Sequence, residues 1–160
     1  MNPEIKTLTE KKLIGKRIIM SFAENKTFEL WRSFMPRRNE IINPISYDLF
    51  SIQLYDSSFN FNESDLHKTF EKWAAVEVSD FDIIPDGMET FTLQNGLYAI
   101  FYYKGLNTDT RIFQTIFGTW LPNSEYVLDA RPHFEILGEK HKNNDPNSEE
   151  EIWIPIKIRA

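Results

Sequence analysis

Cysteine is absent from the 160-residue chain. That removes disulfides, thiolate metal sites and cysteine nucleophiles together. No apolar run approaches the ~20 residues that a membrane span needs, and the stretch from Met1 to Glu10 is polar, with no signal-peptide core. A soluble, cytoplasmic protein without membrane contact is the expectation. A basic surplus is missing too: 18 Lys and Arg stand against 24 Asp and Glu, a net charge of −6. Such a chain repels a phosphate backbone unless its cations cluster, and the densest clusters are mere pairs, Lys11-Lys12, Lys16-Arg17 and Arg37-Arg38. Direct nucleic-acid binding is therefore not expected, whereas a cationic ligand would be attracted. His67, His133 and His141 are scattered, with no i, i+4 pair and no carboxylate constellation, so no metal is expected. Phosphate loops, dinucleotide fingerprints and serine elbows are missing as well, and no cofactor is implied.

Apolar and aromatic residues are plentiful. Hydrophobic residues make up 41% of the chain, including 13 Phe, 6 Tyr and 4 Trp. One domain of this length can bury a sizeable core, and surplus aromatic rings also suit flat organic ligands.

The pattern along the chain predicts an α+β fold. Ile14, Ile18, Met20 and Phe22 share one parity, as in a strand. Phe28, Leu30-Trp31 and Phe34-Met35 have helical spacing, which Pro36 ends. Strands follow at 47–55 and 70–78, separated by a polar connection over 56–66. Pro85-Asp86-Gly87 then turns the chain into a short segment at 88–93. A strand over 97–103 precedes an N-cap at Asn107-Thr108-Asp109 and a helical stripe of Ile112-Phe113, Ile116-Phe117 and Trp120-Leu121. Two further strands, 133–138 and 150–158, complete the chain. Strand, helix, strand, strand thus occurs twice, over about 10–82 and 88–158. Two pseudo-symmetric βαββ units would make one antiparallel sheet with helices on one side and a cleft at their junction.

One residue does not fit its strand. Ile152, Ile154, Ile156 and Ile158 share a parity that should face the helices, leaving Trp153, Pro155 and Lys157 on the other side. Phe134 and Ile136 likewise flank Glu135. If the apolar parities of both strands face the helices, Glu135 and Trp153 share the non-helix face, with Ser51, Gln53 and Tyr55 beside them. A carboxylate among aromatic rings is suited to a cationic or hydrogen-bond-donating aromatic ligand. The bland alternative is a wet sheet face on which Glu135 meets Lys157. Tyr98, Phe101 and Trp120 read as core and His133 as a surface residue at a strand end. Asp80 and Asp82, near Asp86, read as turn caps, and Glu149-Glu150-Glu151 as the solvated start of a strand.

Several strings carry a family resemblance: Ile84-Pro85-Asp86-Gly87-Met88, the run from Gly96 to Gly105, Trp120-Leu121-Pro122-Asn123-Ser124-Glu125-Tyr126, Pro132-His133-Phe134-Glu135 and Glu151-Ile152-Trp153-Ile154-Pro155-Ile156. In this order, and with Leu30 to Arg38, they resemble the GyrI-like, or AraC-type effector-binding, domain family over nearly the whole chain. The resemblance implies two βαββ units around a ligand cleft, with Glu135 as its central acid. In drug-sensing relatives that acid contacts cationic, lipophilic ligands. In multidrug-sensing transcription regulators the domain is joined to a DNA-binding helix-turn-helix, for which 160 residues leave no room. Some stand-alone relatives are hydrolases of reactive polycyclic compounds.

The expected function is a stand-alone protein that senses or sequesters hydrophobic, cationic organic compounds. The residues assigned to the ligand are Glu135, Trp153, Tyr55, Ser51, Trp73, Tyr126 and Trp120. The alternative is a hydrolase with Glu135 as general base and Tyr55 or Tyr126 as donor. A protein partner such as DNA gyrase rests on the family name alone.

Overall fold

The computed structural model describes residues 2–59, 61 and 65–160. Residues 60 and 62–64 of the polar connection expected over 56–66 lie outside the described residues. The chain runs β1 (Glu4–Leu8), β2 (Lys11–Met20), α1 (Thr27–Phe34), β3 (Leu49–Leu54), β4 (Phe70–Val78), β5 (Glu89–Leu93), β6 (Gly96–Lys104), α2 (Arg111–Thr115), α3 (Leu121–Asn123), β7 (Tyr126–Leu128), β8 (His133–Leu137) and β9 (Glu149–Ile158). No helix among the described residues is long and apolar enough to cross a membrane.

In α1, Leu30 and Phe34 lie one turn apart and are its buried residues. The chain then tightens into a 3-10 turn, Met35–Glu40, with Pro36 at its start. There the missing N–H costs no helical hydrogen bond. The second helical stripe exists as expected, since Ile112, Phe113, Ile116, Phe117, Trp120 and Leu121 pack into one cluster. Its backbone is irregular, however. A widened π turn over Ile116–Trp120 joins α2 to α3, a feature that recurs at functional sites.

All strand pairs are antiparallel, in the path β1-β6-β9-β8-β3-β4-β2-β5, with β7 paired to the end of β9. β3 and β8 occupy the middle; β4 and β2 extend from one, β9 and β6 from the other. Only Gln94 and Asn95 join β5 to β6, yet these strands stand near opposite ends of the path. The sheet must curl until its ends meet. Gly15 allows the close approach of β2 to β4: a Cβ there would fall 2.0 Å from the Ala74 carbonyl oxygen.

Register assigns the two faces. Ser51 pairs with Ala74 on one side and Glu135 on the other, and Glu135 pairs with Ile152. Directly opposed residues share a face, so these four form one row. Helices cover both ends of the row. Leu30 and Phe34 pack with Ile14, Ala74, Val76 and Val78, while Ile116 and Phe117 pack with Ala99, Phe101, Ile152, Ile154 and Ile156. The opposite face lines the inside of the curl. There Phe50, Ile52, Trp73, Tyr98, Phe134 and Trp153 join Leu13 of β2 and, from the edge strands, Leu8 and Leu93 in one buried cluster.

This geometry corrects the face expected for Trp153. Trp153 pairs with Phe134, not Glu135, and their rings stack at 5.1 Å between centroids. The expectation failed because both faces of the central strands are dry. Apolar parity therefore does not identify the helix side: Phe134 and Ile136 face the curl, whereas Ile152 and Ile154 face a helix. Trp73 belongs to the curl as well. Ile158, expected in the buried ladder, is exposed; it lies beyond the β6 pairing and meets only β7. Strand β1 was not expected, since only Leu8 of its five residues is buried.

Candidate functional site

The two helical clusters leave the middle strands between them, and the polar residues of those strands form a floor. Ser51 and Gln53 on β3 are buried, and Gln53 Nε2 donates to Ser51 Oγ at 3.2 Å. Glu135 on β8 lies across from Ser51. Burial pushes its pKa up, opposed by the charge of Lys72 and by hydrogen bonds from Gln53 and its own backbone. Its Oε2 is out of contact with solvent and, among the described residues, has no hydrogen-bond partner. A buried carboxylate oxygen without a partner costs stability and needs a reason.

Two further charges share this face. Lys72 pairs with Gln53 and lies two residues before Ala74; burial pulls its pKa down, while Glu135 and Glu150 push it up. Glu150 lies two residues before Ile152 on β9. Burial, reinforced by Glu135 and opposed by Lys72, raises its pKa to about 7. The reading of 149–151 as a solvated strand start is thus corrected at Glu150, whose side chain is only 12% exposed. Alternation directs it to the covered face. The same alternation puts Lys157 with Trp153 on the other side, so Lys72 is the lysine that acts on Glu135.

An aromatic wall adjoins the floor. His133, expected at the surface, is 7% exposed. Its ring meets Tyr55 edge-on at 4.9 Å and lies near-parallel to Phe61 at 5.2 Å. Burial lowers its pKa to about 3, so the imidazole is neutral. Phe61 also stacks on Phe117 at 4.6 Å, linking the wall to the second helical segment. Tyr55 further contacts Phe22, Phe59 and Phe70. Burial, then the charge of Glu135, raises its pKa and keeps the phenol protonated.

Of the residues assigned from sequence, Glu135, Ser51 and Tyr55 come together here. Trp73 and Trp153 point into the curl instead. Trp120 packs on Phe101 and Tyr126, over β6 and the far end of β9. Tyr126 pairs with Ile158, six residues beyond Ile152, or roughly 20 Å of strand. Both belong to the apolar underside of the second helical segment. Tyr98 and Phe101 are core, as expected. Asp80 does cap a turn, accepting from the Asp82 backbone at 3.1 Å. Sequence reasoning missed Lys72, Glu150, His133, Phe61 and Phe117. A usable signal was the Phe59-x-Phe61 alternation within an otherwise polar connection.

A second groove, lined by Arg38, Ile41, Pro44, Ile45 and Tyr47 among others, lies near the 3-10 turn. Its cation, Arg38, donates to the Tyr47 carbonyl and lies over the Tyr47 ring, so nothing in it parallels the Glu135 floor.

Solved structures share the fold. SAV2435, described as bound to tetraphenylphosphonium, is 14% identical; the match covers 98% of this chain and 94% of that one, with a TM-score of 0.73. The EcmrR C-terminal domain is 16% identical, with 99% and 98% coverage and a TM-score of 0.69. A hydrolase from Listeria innocua is 11% identical, with 98% and 92% coverage and a TM-score of 0.62. No curated protein sequence matches the chain. The model of the GyrI-like small molecule binding domain matches residues 1–157. This chain therefore belongs to the GyrI-like small molecule binding domain family.

Proposed function

We propose that the chain senses or sequesters lipophilic organic cations in the cytoplasm, without itself binding nucleic acid, and that the cation sits over Glu135 between the two helical segments. The observation that carries this reading is the solvent-shielded, unpartnered Glu135 Oε2 beside an aromatic wall. A ligand cation would restore the charged form that burial disfavours, and aromatic faces would add cation–π attraction. The tetraphenylphosphonium described with SAV2435 is a ligand of this chemistry on a similar fold. Titration calorimetry with tetraphenylphosphonium tests the proposal. Glu135→Gln is expected to weaken binding tenfold to hundredfold, or about 1.4–2.8 kcal/mol, with the aromatic contacts retained. Equal affinity of wild type and variant would refute it.

A hydrolytic reading has one specific support. Tyr55, a phenol that stays protonated, is close enough to Glu135 to feel its charge. Glu135 could then take a proton from water while Tyr55 donates to the leaving side of a strained electrophile. Loss of turnover in both Glu135→Gln and Tyr55→Phe is the expected signature; turnover surviving Glu135→Gln excludes the mechanism.

A further inference from the structure

The floor holds three ionisable side chains that do not touch. Among the described residues, Lys72 makes no ion pair within 4 Å and no side-chain hydrogen bond, although both Glu135 and Glu150 act on it through space. Among the same residues, Glu135 keeps an oxygen with no hydrogen-bond partner. Among the described residues, the one basic partner within 4 Å of the Glu150 carboxylate is His141 Nδ1, at 3.8 Å, and burial lowers the pKa of His141, which leaves it neutral near pH 7. Three partly buried charges standing apart forgo the direct contacts that would offset their desolvation. Register and alternation set all three on the helix-covered face of the sheet.

Few other charges share this face. His133 is neutral, and Tyr55 is a protonated phenol. Lys16, one strand further out on the same face as Ala74, acts on Glu40 of the 3-10 turn. Arg17 pairs with Trp73, hence lies on the other face, and is held by Glu71 and Glu89. With both carboxyls ionised, the state a bound cation favours, what remains is two carboxylates and one ammonium, a single surplus negative charge.

We infer that Lys72 is a specificity-determining residue, an internal cation that limits the cleft to ligands carrying one positive charge. A monocation brings the floor to neutrality. A dication would leave an uncompensated positive charge in a desolvated site, which is strongly disfavoured. This inference rests on the cation reading above and adds the ligand's charge to it.

The test compares tetraphenylphosphonium with an alkane-linked bis(triphenylphosphonium) by titration calorimetry at pH 8, where Glu150 is ionised. Wild type is expected to prefer the monocation. Lys72→Met should shift the ratio of affinities toward the dication by tenfold or more. Lys72→Arg, which keeps the charge, should leave the ratio as in wild type. Adding Glu150→Gln to Lys72→Met restores one surplus negative charge and should restore the preference for the monocation. The last two variants separate charge from the space vacated by the lysine. If wild type binds tetraphenylphosphonium but the ratio is the same in Lys72→Met, the role of Lys72 is overturned and the cation site stands. If wild type binds neither cation, both readings fall.

Discussion

Glu150→Gln is expected to stabilise the protein at neutral pH by on the order of 3 kcal/mol. The Glu150 carboxyl has a folded pKa of about 7 against an ordinary value of 4.5, and each unit is worth about 1.4 kcal/mol. Between those values the unfolded chain has released the proton and the folded chain still holds it. The stability this group contributes is therefore present below pH 4.5 and lost as pH rises through 7. Burial drives Glu135 in the same direction. His133 has the opposite sign: its folded pKa of about 3 lies below the usual 6.5, so its contribution is present above pH 6.5 and lost as pH falls toward 3. His141, whose pKa burial also lowers, has the same sign as His133, so the slopes of the two histidines oppose those of the two carboxyls between pH 4.5 and 6.5. Urea denaturation at pH 5, 6, 7 and 8 should show Glu150→Gln gaining stability relative to wild type as pH rises toward neutrality. At pH 7 the variant's Tm should be higher by roughly 6–12 °C. A variant curve that merely parallels wild type would contradict this account of Glu150. The sign accords with a floor arranged for a ligand, since binding sites commonly reduce stability when empty.

Phe134→Ala should do the reverse. Phe134 is 1% exposed, with Phe50, Tyr98 and Trp153 rings at 5.9, 5.3 and 5.1 Å. Truncating such a residue removes its burial and leaves a cavity that the curled sheet cannot close, at a cost of about 3–5 kcal/mol. The expected loss appears as a lower urea midpoint with unchanged slope. Because Phe134 faces the inside of the curl, folded Phe134→Ala should bind tetraphenylphosphonium within about threefold of wild type, a factor worth well under 1 kcal/mol. A large loss of affinity with little loss of stability would mean that the ligand uses the Trp153 side after all. Phe134 and its neighbour Glu135 thus form a matched pair, one supporting the fold and the other the site.

Much of the fold was legible because its main elements repeat a simple alternation. The strands at Phe70–Val78, Gly96–Lys104 and Glu149–Ile158 and the helix carrying Leu30 and Phe34 announce themselves by period. Glu135 was legible as the residue that interrupts Phe134 and Ile136. The side on which it points was not. Parity divides the residues of a strand into two sets but does not say which set meets a helix. Where both faces are buried, the rule that the polar set meets water fails. The register between strands decides instead, by setting Glu135 opposite Ile152. Lys72 and Glu150 escaped notice for a related reason. Each sits near a strand end beside charged neighbours, and only the curl of the sheet and the helices bury them. The aromatic wall draws on Phe22, Phe61 and Phe117, distant in sequence and joined only by the fold.

The central claim is that an organic cation sits against Glu135 on the helix side of the sheet. A crystal structure of the protein with tetraphenylphosphonium tests it most directly. The account predicts the phosphonium over the row of Ser51, Glu135 and Ile152, with its aryl groups against Tyr55, Phe61 or Phe117. A cation lodged beside Trp153 inside the curl, or in the Arg38 groove, would contradict it.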